Sequence, residues 1–189
     1  MSYNNEPFYE FFIRYCAPTL ARLKCANMMS CPNNQDCEED LSQIREELSH
    51  KGVKIDIMYR NSSRQLMLVY RPAMLEEILA GQEIREFLAQ FGYRDFSVEG
   101  ALAYAKTRIC REGGQFPHEV GVFLGYPLAD IKGFIENGGQ NDLLCGEWKV
   151  YHEPEQARRT FANLNKCREI YLALYAAGTR NLVQLTVAA

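Results

Sequence analysis

The stretch that most constrains the fold of this chain is FPHEVGVFLGYPLADIKGF, from Phe116 to Phe134. It predicts two short helices joined by a tight turn. Pro117 suits the first position of the first helix, because proline has no amide hydrogen to leave unbonded there. Gly125 suits its end, since glycine adopts the left-handed conformation without a steric penalty. The second helix has one apolar face, because apolar residues recur at three- and four-residue intervals: Leu128, Ile131, Phe134 and Ile135.

Residues 53–71 predict a β-hairpin. Residues 53–60 alternate between apolar and polar side chains, and the polar segment 61–64 is a turn. Residues 65–71 are apolar on both faces, which predicts a strand in the interior of a larger sheet. A lone hairpin is marginally stable in water, so other strands must complete the sheet. The candidates are Leu20–Met29, which also fits a helix, Glu147–Tyr151 and Leu182–Val187.

Most of the remaining chain has helical patterns. A helix rich in aromatic residues covers 6–15 and ends at Pro18, because proline disrupts the interior of a helix. After a loop at 30–35, an amphipathic helix covers 36–50. The section 72–137 is nearly all helical. A long helix begins at Pro154 and ends at Gly178, with a buried stripe formed by Ala157, Phe161, Leu164, Ile170, Tyr171 and Leu174.

These patterns predict a single α+β domain over residues 1–189. Its small mixed sheet is built on the hairpin at about 53–71. The N-terminal helix, the helical middle section at about 72–137 and the long C-terminal helix pack around that sheet.

The composition is that of a soluble globular protein, with 47% hydrophobic and 24% charged residues. The net charge of −3 predicts no non-specific attraction to nucleic acid or to anionic lipid. No apolar run approaches the roughly 20 residues that span a bilayer. The first fifteen residues lack the basic start and apolar middle of a secretory signal. We therefore expect a cytoplasmic protein that binds neither nucleic acid nor a membrane.

The chain contains seven cysteines, an odd number that favours reduced thiols over a disulfide framework. Successive cysteines among Cys25, Cys31 and Cys37 lie six positions apart, but no C-x-x-C motif occurs. Structural zinc sites usually contain two ligands two to four residues apart. The pattern therefore favours buried thiols over a metal site.

The central helix pair also fits the spacing of a DNA-reading helix-turn-helix, with Gly121 and Gly125 around the turn. Its charge argues against that function. Residues 112–148 contain one basic residue against six acidic ones, whereas DNA-binding proteins neutralise phosphates with Lys and Arg. We interpret the pair as a packing unit.

No catalytic motif is complete. His118 and Glu119 begin an H-E-x-x-H zinc motif, but its second histidine is replaced by Val122. These two residues suit a helix N-terminus, and a contact with an anion or substrate is the alternative. Cys167 lies between two basic residues, which lower a thiol pKa when the thiol is exposed. Its position on the apolar stripe predicts burial instead.

Several motifs of this chain resemble those of a known family. They are CAPTLARLKCANMMSC, FPHEVGVFLGYPLADIKGFIENGG, WKVY and FANLNKCREIY, and together they extend over nearly the whole chain. The sequence resembles an uncharacterised bacterial family, a domain of unknown function that is commonest in anaerobic Gram-positive bacteria. The resemblance implies a cytoplasmic bacterial protein without an established activity. Members of this family are encoded near flavodoxin and ferrous-iron uptake genes, and the resemblance therefore implies an iron or redox setting. Where the family has WKVYG, this chain has His152 after Tyr151.

The sequence as a whole favours a non-catalytic small-molecule-binding protein, or an accessory protein that interacts with a partner. Its predicted ligand-binding residues interleave polar groups with aromatic rings: Lys24, His118, Glu119, Trp148 and Tyr151. Lys24 lies in an apolar stretch, where a lysine either extends to solvent or binds an anion. The alternative is a thiol- or metal-dependent redox protein that uses Cys16, Cys25, Cys31 or Cys37. A helix-turn-helix regulator is the third hypothesis. The ligand, cofactor and partner stay unidentified at this stage.

Overall fold

A three-stranded antiparallel sheet surrounded by helices forms the fold, and this confirms the predicted α+β class. The computed structural model describes residues 7–111 and 116–188. Its helices and strands are α1 (Phe8–Leu20), β1 (Ala26–Pro32), α2 (Gln35–Leu48), a single 3₁₀ turn (Ser49–Lys51), β2 (Lys54–Arg60), β3 (Arg64–Tyr70), α3 (Pro72–Ala80), α4 (Gln82–Gln90), α5 (Val98–Arg111), a 3₁₀ helix (His118–Leu124), α6 (Leu128–Glu136), β4 (Leu144–Cys145), β5 (Lys149–Val150), α7 (Pro154–Ala176) and α8 (Leu182–Leu185).

The predicted hairpin is confirmed, and its second strand β3 is the central strand of the sheet. The strand order is β1-β3-β2, with antiparallel pairing on both sides of β3. A register shift between Ile57 and Tyr59 interrupts the alternation of β2. As a result Met58, which the period of two assigns to the polar face, is buried.

Both faces of the sheet are covered, which is why β3 is apolar on both sides. On one face Met67 and Val69 pack with residues of α1, α2 and α8. On the other face Leu68 and Tyr70 pack with residues of α3, α4, α5 and the 3₁₀ helix. A strand buried in this way needs an unbroken apolar run, because neither of its faces contacts water.

The helical hairpin of residues 116–136 packs into the core, as predicted. Val120, Phe123 and Ile131 are buried in the cluster that covers one face of the sheet. The first element is a 3₁₀ helix, and Pro117 immediately precedes it rather than occupying its first position. Gly125 ends this helix with a left-handed φ of +71°. The apolar pattern therefore identified the hairpin, but it did not distinguish a 3₁₀ helix from an α-helix.

Two predictions at the N-terminal end were wrong in detail. Pro18 lies within α1, which continues to Leu20. Only one intrahelical hydrogen bond is lost at a proline nitrogen, and the last turn is completed by the bond from Ala21 N to Ala17 O at 2.8 Å. The strand β1 begins at Ala26 and extends to Pro32, so the loop predicted from residue 30 starts too early.

Three predictions in the C-terminal part were also wrong. Residues 182–185 form the helix α8, which has a capping box between Asn181 and Gln184, instead of a strand. Within 147–151 only Lys149–Val150 is a strand, and it pairs with β4 outside the main sheet. On α7 the predicted stripe is buried only in its first half, because Ile170 is 46% exposed and Leu174 is 37% exposed.

Replacing Gly125 with alanine tests the left-handed turn of the hairpin. The left-handed conformation costs a non-glycine residue about 1–2 kcal/mol. An added Cβ at this position also lies 2.9 Å from Cys25 Sγ. We expect Gly125→Ala to lower the free energy of unfolding, measured by urea denaturation, by more than Gly138→Ala. Gly138 is the matched control, since its φ is +57° and no atom lies within 4 Å of an added Cβ. Equal losses for the two variants contradict the close approach to Cys25.

Candidate functional site

A groove of about 480 Å³ lies between β1 and the helical hairpin. We call it the aromatic groove, because six aromatic side chains line it: Tyr15, Phe116, His118, Tyr126, Phe134 and Trp148. These residues come from α1, from the hairpin and from the segment before β5. The groove therefore exists only when parts of the chain more than a hundred residues apart are packed together.

The rings of the groove contact one another in pairs. The His118 and Phe134 rings are tilted, with centroids 4.8 Å apart. The Tyr126 and Trp148 rings are also tilted, with centroids 5.2 Å apart. Such contacts restrict the rotation of the rings, and each adds about 0.5–1.5 kcal/mol beyond the burial of apolar area. Four of the six rings that line the groove are therefore each held by a neighbouring ring.

One side of the groove is the unpaired edge of β1, from which Met28, Met29 and Ser30 line it. Arg71 N donates to Cys25 O, and Asn33 N donates to Ser63 O. Because hydrogen-bonded pairs alternate in an antiparallel ladder, the odd-numbered residues of β1 direct their backbone groups toward β3. The backbone groups of Met28 and Ser30 consequently face the unpaired edge.

Some of these backbone groups at the edge of β1 have no hydrogen-bond partner among the described residues. Arg64 Nη2 donates to Ser30 O at 3.1 Å, so that carbonyl is occupied. Within residues 7–111 and 116–188, Met28 N–H, Met28 C=O and Ser30 N–H have no hydrogen-bond partner. The groove thus offers two donors and one acceptor in fixed positions beside its rings.

Asp130 holds Trp148 in the wall of the groove. Its Oδ2 accepts a hydrogen bond from Trp148 Nε1 at 2.7 Å. Its Oδ1 accepts from the backbone N–H groups of Tyr151 and His152 at 2.8 Å and 2.9 Å. Asp130 is 2% exposed and lies in the first turn of α6. This carboxylate therefore joins the helical hairpin to residues 148–152 through three hydrogen bonds.

Lys24 lies beside the groove, in a neighbouring cleft of about 250 Å³ that shares Trp148 with it. Its Nζ is 5.0 Å from the centroid of the Tyr126 ring, which is a cation–π contact. Burial lowers the pKa of Lys24, and the nearby carboxylate of Glu147 only partly offsets this. Glu147 itself forms a two-fold ion pair with Arg168, with both N–O distances at 2.7 Å.

The other two predicted ligand-binding residues lie outside the lining of the groove. Glu119 is buried, and its Oε1 accepts from Arg108 Nε at 2.9 Å. Tyr151 packs its side chain on Gly133, where an added Cβ would lie 2.6 Å from Tyr151 Cβ. Its hydroxyl is buried without a hydrogen-bond partner among the described residues. Of the five predicted residues, the structure brings His118 and Trp148 into the groove and Lys24 next to it.

Sequence reasoning missed Tyr15, Tyr126, Asp130 and the edge of β1 as parts of this site. The alternation Ala26, Met28, Ser30 offered a weak signal for the strand, but the turn residues that follow it favoured a loop. Asp130 looks like an ordinary acid in the first turn of a helix. Only the folded chain reveals that its partners come from residues 148–152.

Three further observations concern metal ligands, membrane-spanning helices and the thiol of Cys167. Within the described part of the chain, no group of three or more His, Cys, Asp or Glu side chains is arranged to hold a metal ion. None of the described helices combines the length and the apolar character that crossing a membrane requires. Cys167 is 7% exposed, so its predicted burial is confirmed.

Comparison with known proteins gives a family. A sequence model of the family described as "Protein of unknown function (DUF3793)" matches residues 12–186. The chain belongs to this family. No curated protein and no solved structure matches the chain. The resemblance to an uncharacterised family is therefore confirmed. The DUF3793 match includes β1, the helical hairpin and every residue that lines the aromatic groove.

Replacing Asp130 with asparagine tests its role as the link to Trp148. Asparagine retains one acceptor oxygen, but its amide NH₂ cannot accept from Trp148 Nε1. We expect Asp130→Asn to lower the free energy of unfolding by about 2 kcal/mol and to shift the fluorescence of Trp148 to longer wavelength. Trp148 is the single tryptophan, so the emission reports this site alone.

The matched control for this variant is Asp142→Asn. Asp142 accepts from Lys149 Nζ at 3.1 Å, in an ion pair that is partly exposed. We expect this change to cost less than about 1 kcal/mol and to leave the emission of Trp148 unchanged. An unshifted emission in Asp130→Asn contradicts the role assigned to Asp130.

Replacing Lys24 with methionine tests the cost of its buried charge. Because burial lowers the pKa of Lys24, the folded protein binds this proton less firmly than the unfolded chain does. That cost is fully present below the folded-state pKa and disappears as the pH rises through the ordinary value of 10.5. We expect Lys24→Met to raise the free energy of unfolding at pH 7 by about 1 kcal/mol. The gain should shrink as the pH approaches 10.5. Lys132→Met, at an exposed position of α6, is the control and should show no such gain.

Proposed function

We propose that this DUF3793 protein is a cytoplasmic, non-catalytic binding protein for a small, flat and largely apolar molecule. The aromatic groove is the proposed binding site. The observation that carries the proposal is the combination of its volume, about 480 Å³, with a lining of ordered rings. Pockets of roughly 300–1,000 Å³ with mainly apolar and aromatic walls are typical of small-molecule sites.

The ring contacts support a flat ligand. His118 and Phe134 form one pair, and Tyr126 and Trp148 form another. A planar molecule stacks against such side chains with little loss of conformational entropy, because Asp130 already fixes the orientation of Trp148. A ligand with a flexible alkyl chain gains less from these rings, since each of its rotatable bonds must be ordered on binding.

The edge of β1 supports a ligand that also carries polar substituents. Met28 N–H and Ser30 N–H are donors, and Met28 C=O is an acceptor. A small number of fixed polar groups in an apolar pocket usually determines orientation and specificity. A planar heterocycle with a donor and an acceptor on one edge has the matching chemistry.

The other three residues predicted to bind the ligand lie outside the aromatic groove and have different roles in the proposal. Lys24 faces the adjacent cleft, and we propose that it attracts an acidic substituent that extends past Trp148. Glu119 and Tyr151 support the site indirectly in this proposal. Glu119 pairs with Arg108 of α5, and the Tyr151 backbone N–H donates to Asp130.

Titration with anilinonaphthalene sulfonate, a flat aromatic anion, tests the proposal. Binding in the groove should quench the fluorescence of Trp148, the single tryptophan. We expect His118→Ala and Phe134→Ala to weaken the affinity by about two- to tenfold each, the equivalent of one lost ring contact. The matched control is Ile170→Ala, because Ile170 is an exposed apolar residue outside the groove.

Two results of the binding experiment would count against the proposed function. One is saturable binding that Ile170→Ala weakens as much as Phe134→Ala does, which indicates adhesion to exposed apolar surface. The other is the absence of any quenching of Trp148, provided that the protein is folded by circular dichroism. Turnover of a compound that binds in the groove would contradict the non-catalytic part of the proposal.

A further inference from the structure

Cys31 and Cys37 form a close pair of thiols outside the aromatic groove. Their Sγ atoms are 2.7 Å apart, about 0.7 Å longer than a disulfide bond. By comparison, the buried Cys16 Sγ lies 3.5 Å from Met29 Sδ, which is an ordinary contact between sulfur atoms. Cys31 is near the end of β1, and Cys37 is the third residue of α2. Little movement of either side chain is needed to join the two sulfurs.

The surroundings of the pair favour ionisation of Cys37. The hydrogen bond between the two thiols has the largest effect on the pKa of Cys37 and lowers it. Burial raises this pKa by less, the Gln65 amide lowers it, and the carboxylates of Glu38 and Asp40 raise it, so that the net shift is downward. Gln65 Nε2 lies 3.7 Å from Cys37 Sγ. Cys37 also lies in the first turn of α2, where the helix dipole favours a negative charge. The reactive form of a cysteine is the thiolate, so Cys37 is the better nucleophile of the two.

The chain segment between the two cysteines is partly exposed. Both thiols are buried, but the intervening residues Asn34, Gln35 and Asp36 are exposed. The N-terminus of α2 is capped by the Asn34 side chain, whose Oδ1 accepts a hydrogen bond from Cys37 N–H at 3.0 Å. Helix termini open more readily than helix interiors, which gives a small reagent a route to Cys37.

We propose that Cys31 and Cys37 are a redox-active dithiol that exchanges with small disulfides. The Cys37 thiolate attacks one sulfur of the small disulfide, whose S–S bond breaks and releases one small thiol. Cys31 then displaces the second small thiol from the mixed disulfide and forms the Cys31–Cys37 bond. Two protein S–H bonds are lost, two electrons pass to the small disulfide, and the two protons leave on the two small thiols. The product links the end of β1 to the start of α2.

Oxidation of the native full-length chain with glutathione disulfide tests this proposal. Free thiols are then alkylated, and the protein is digested with trypsin and with a protease that cleaves before Asp36. Trypsin alone leaves Cys25, Cys31 and Cys37 in one peptide. The additional cut before Asp36 separates Cys37 from the fragment that contains Cys25 and Cys31. We expect the fragments of Cys31 and Cys37 to stay joined until reduction, with Cys25 alkylated. The thermal midpoint should rise by about 5 °C on oxidation and fall back with dithiothreitol.

The variants Cys31→Ala and Cys37→Ala should each abolish the joined fragments and the rise in thermal midpoint. Cys16→Ala is the matched control, because Cys16 is as buried as Cys31, and it should leave both effects intact. If an alanine variant fails to fold, the corresponding serine variant replaces it. The proposal is overturned if Cys31 and Cys37 stay fully alkylatable after unfolding while the exposed Cys110 and Cys145 have become glutathionylated. A disulfide that joins any other pair of cysteines overturns it as well.

Discussion

The pairing of β1 with β3 is the constraint on which the other features of this protein depend. Its register aligns Cys31 with Gln65 and directs the backbone of Met28 and Ser30 to the unpaired edge. A slip by one residue would exchange the two faces of β1 and turn those backbone groups toward β3. The same pairing therefore determines the edge of the aromatic groove and the position of the close thiol pair.

Asp130 connects residues 148–152 to the helical hairpin. A buried carboxylate is costly unless its oxygens are hydrogen-bonded, and here they accept from Trp148, Tyr151 and His152. The cost is offset only when residues 148–152 lie against α6. One carboxylate thus specifies the position of a short strand that buries little apolar surface of its own. The wall of the groove follows from that arrangement, since Trp148 is held by its indole nitrogen.

Local patterns were sufficient for the elements whose burial is one-sided or complete. The strand β2 alternates as far as Ile57, β3 is apolar on both faces from residue 66 to residue 70, and α2 has a single apolar face, so each indicates its own period. The patterns failed for α8, where four residues hold a capping box and the apolar spacing fits either period. They failed in part for the second half of α7, where Ile170 and Leu174 have helical spacing but are exposed, whereas Tyr171 packs against the cluster of α1, α2 and α8. Of the predicted site residues, His118 and Trp148 reach the groove because they flank the hairpin that forms it.

The sequence by itself determined the α+β class, the β-hairpin, the left-handed turn at Gly125 and the burial of the helical hairpin. Each of these follows from local sterics or from periodic apolar burial, which a single stretch of chain encodes. Only the tertiary structure decided that β1 has an open edge, that Asp130 meets Trp148 and that Cys31 touches Cys37. The first two of these contacts depend on packing between distant segments. The third depends on the angle between a strand and the following helix, which residue spacing alone does not specify.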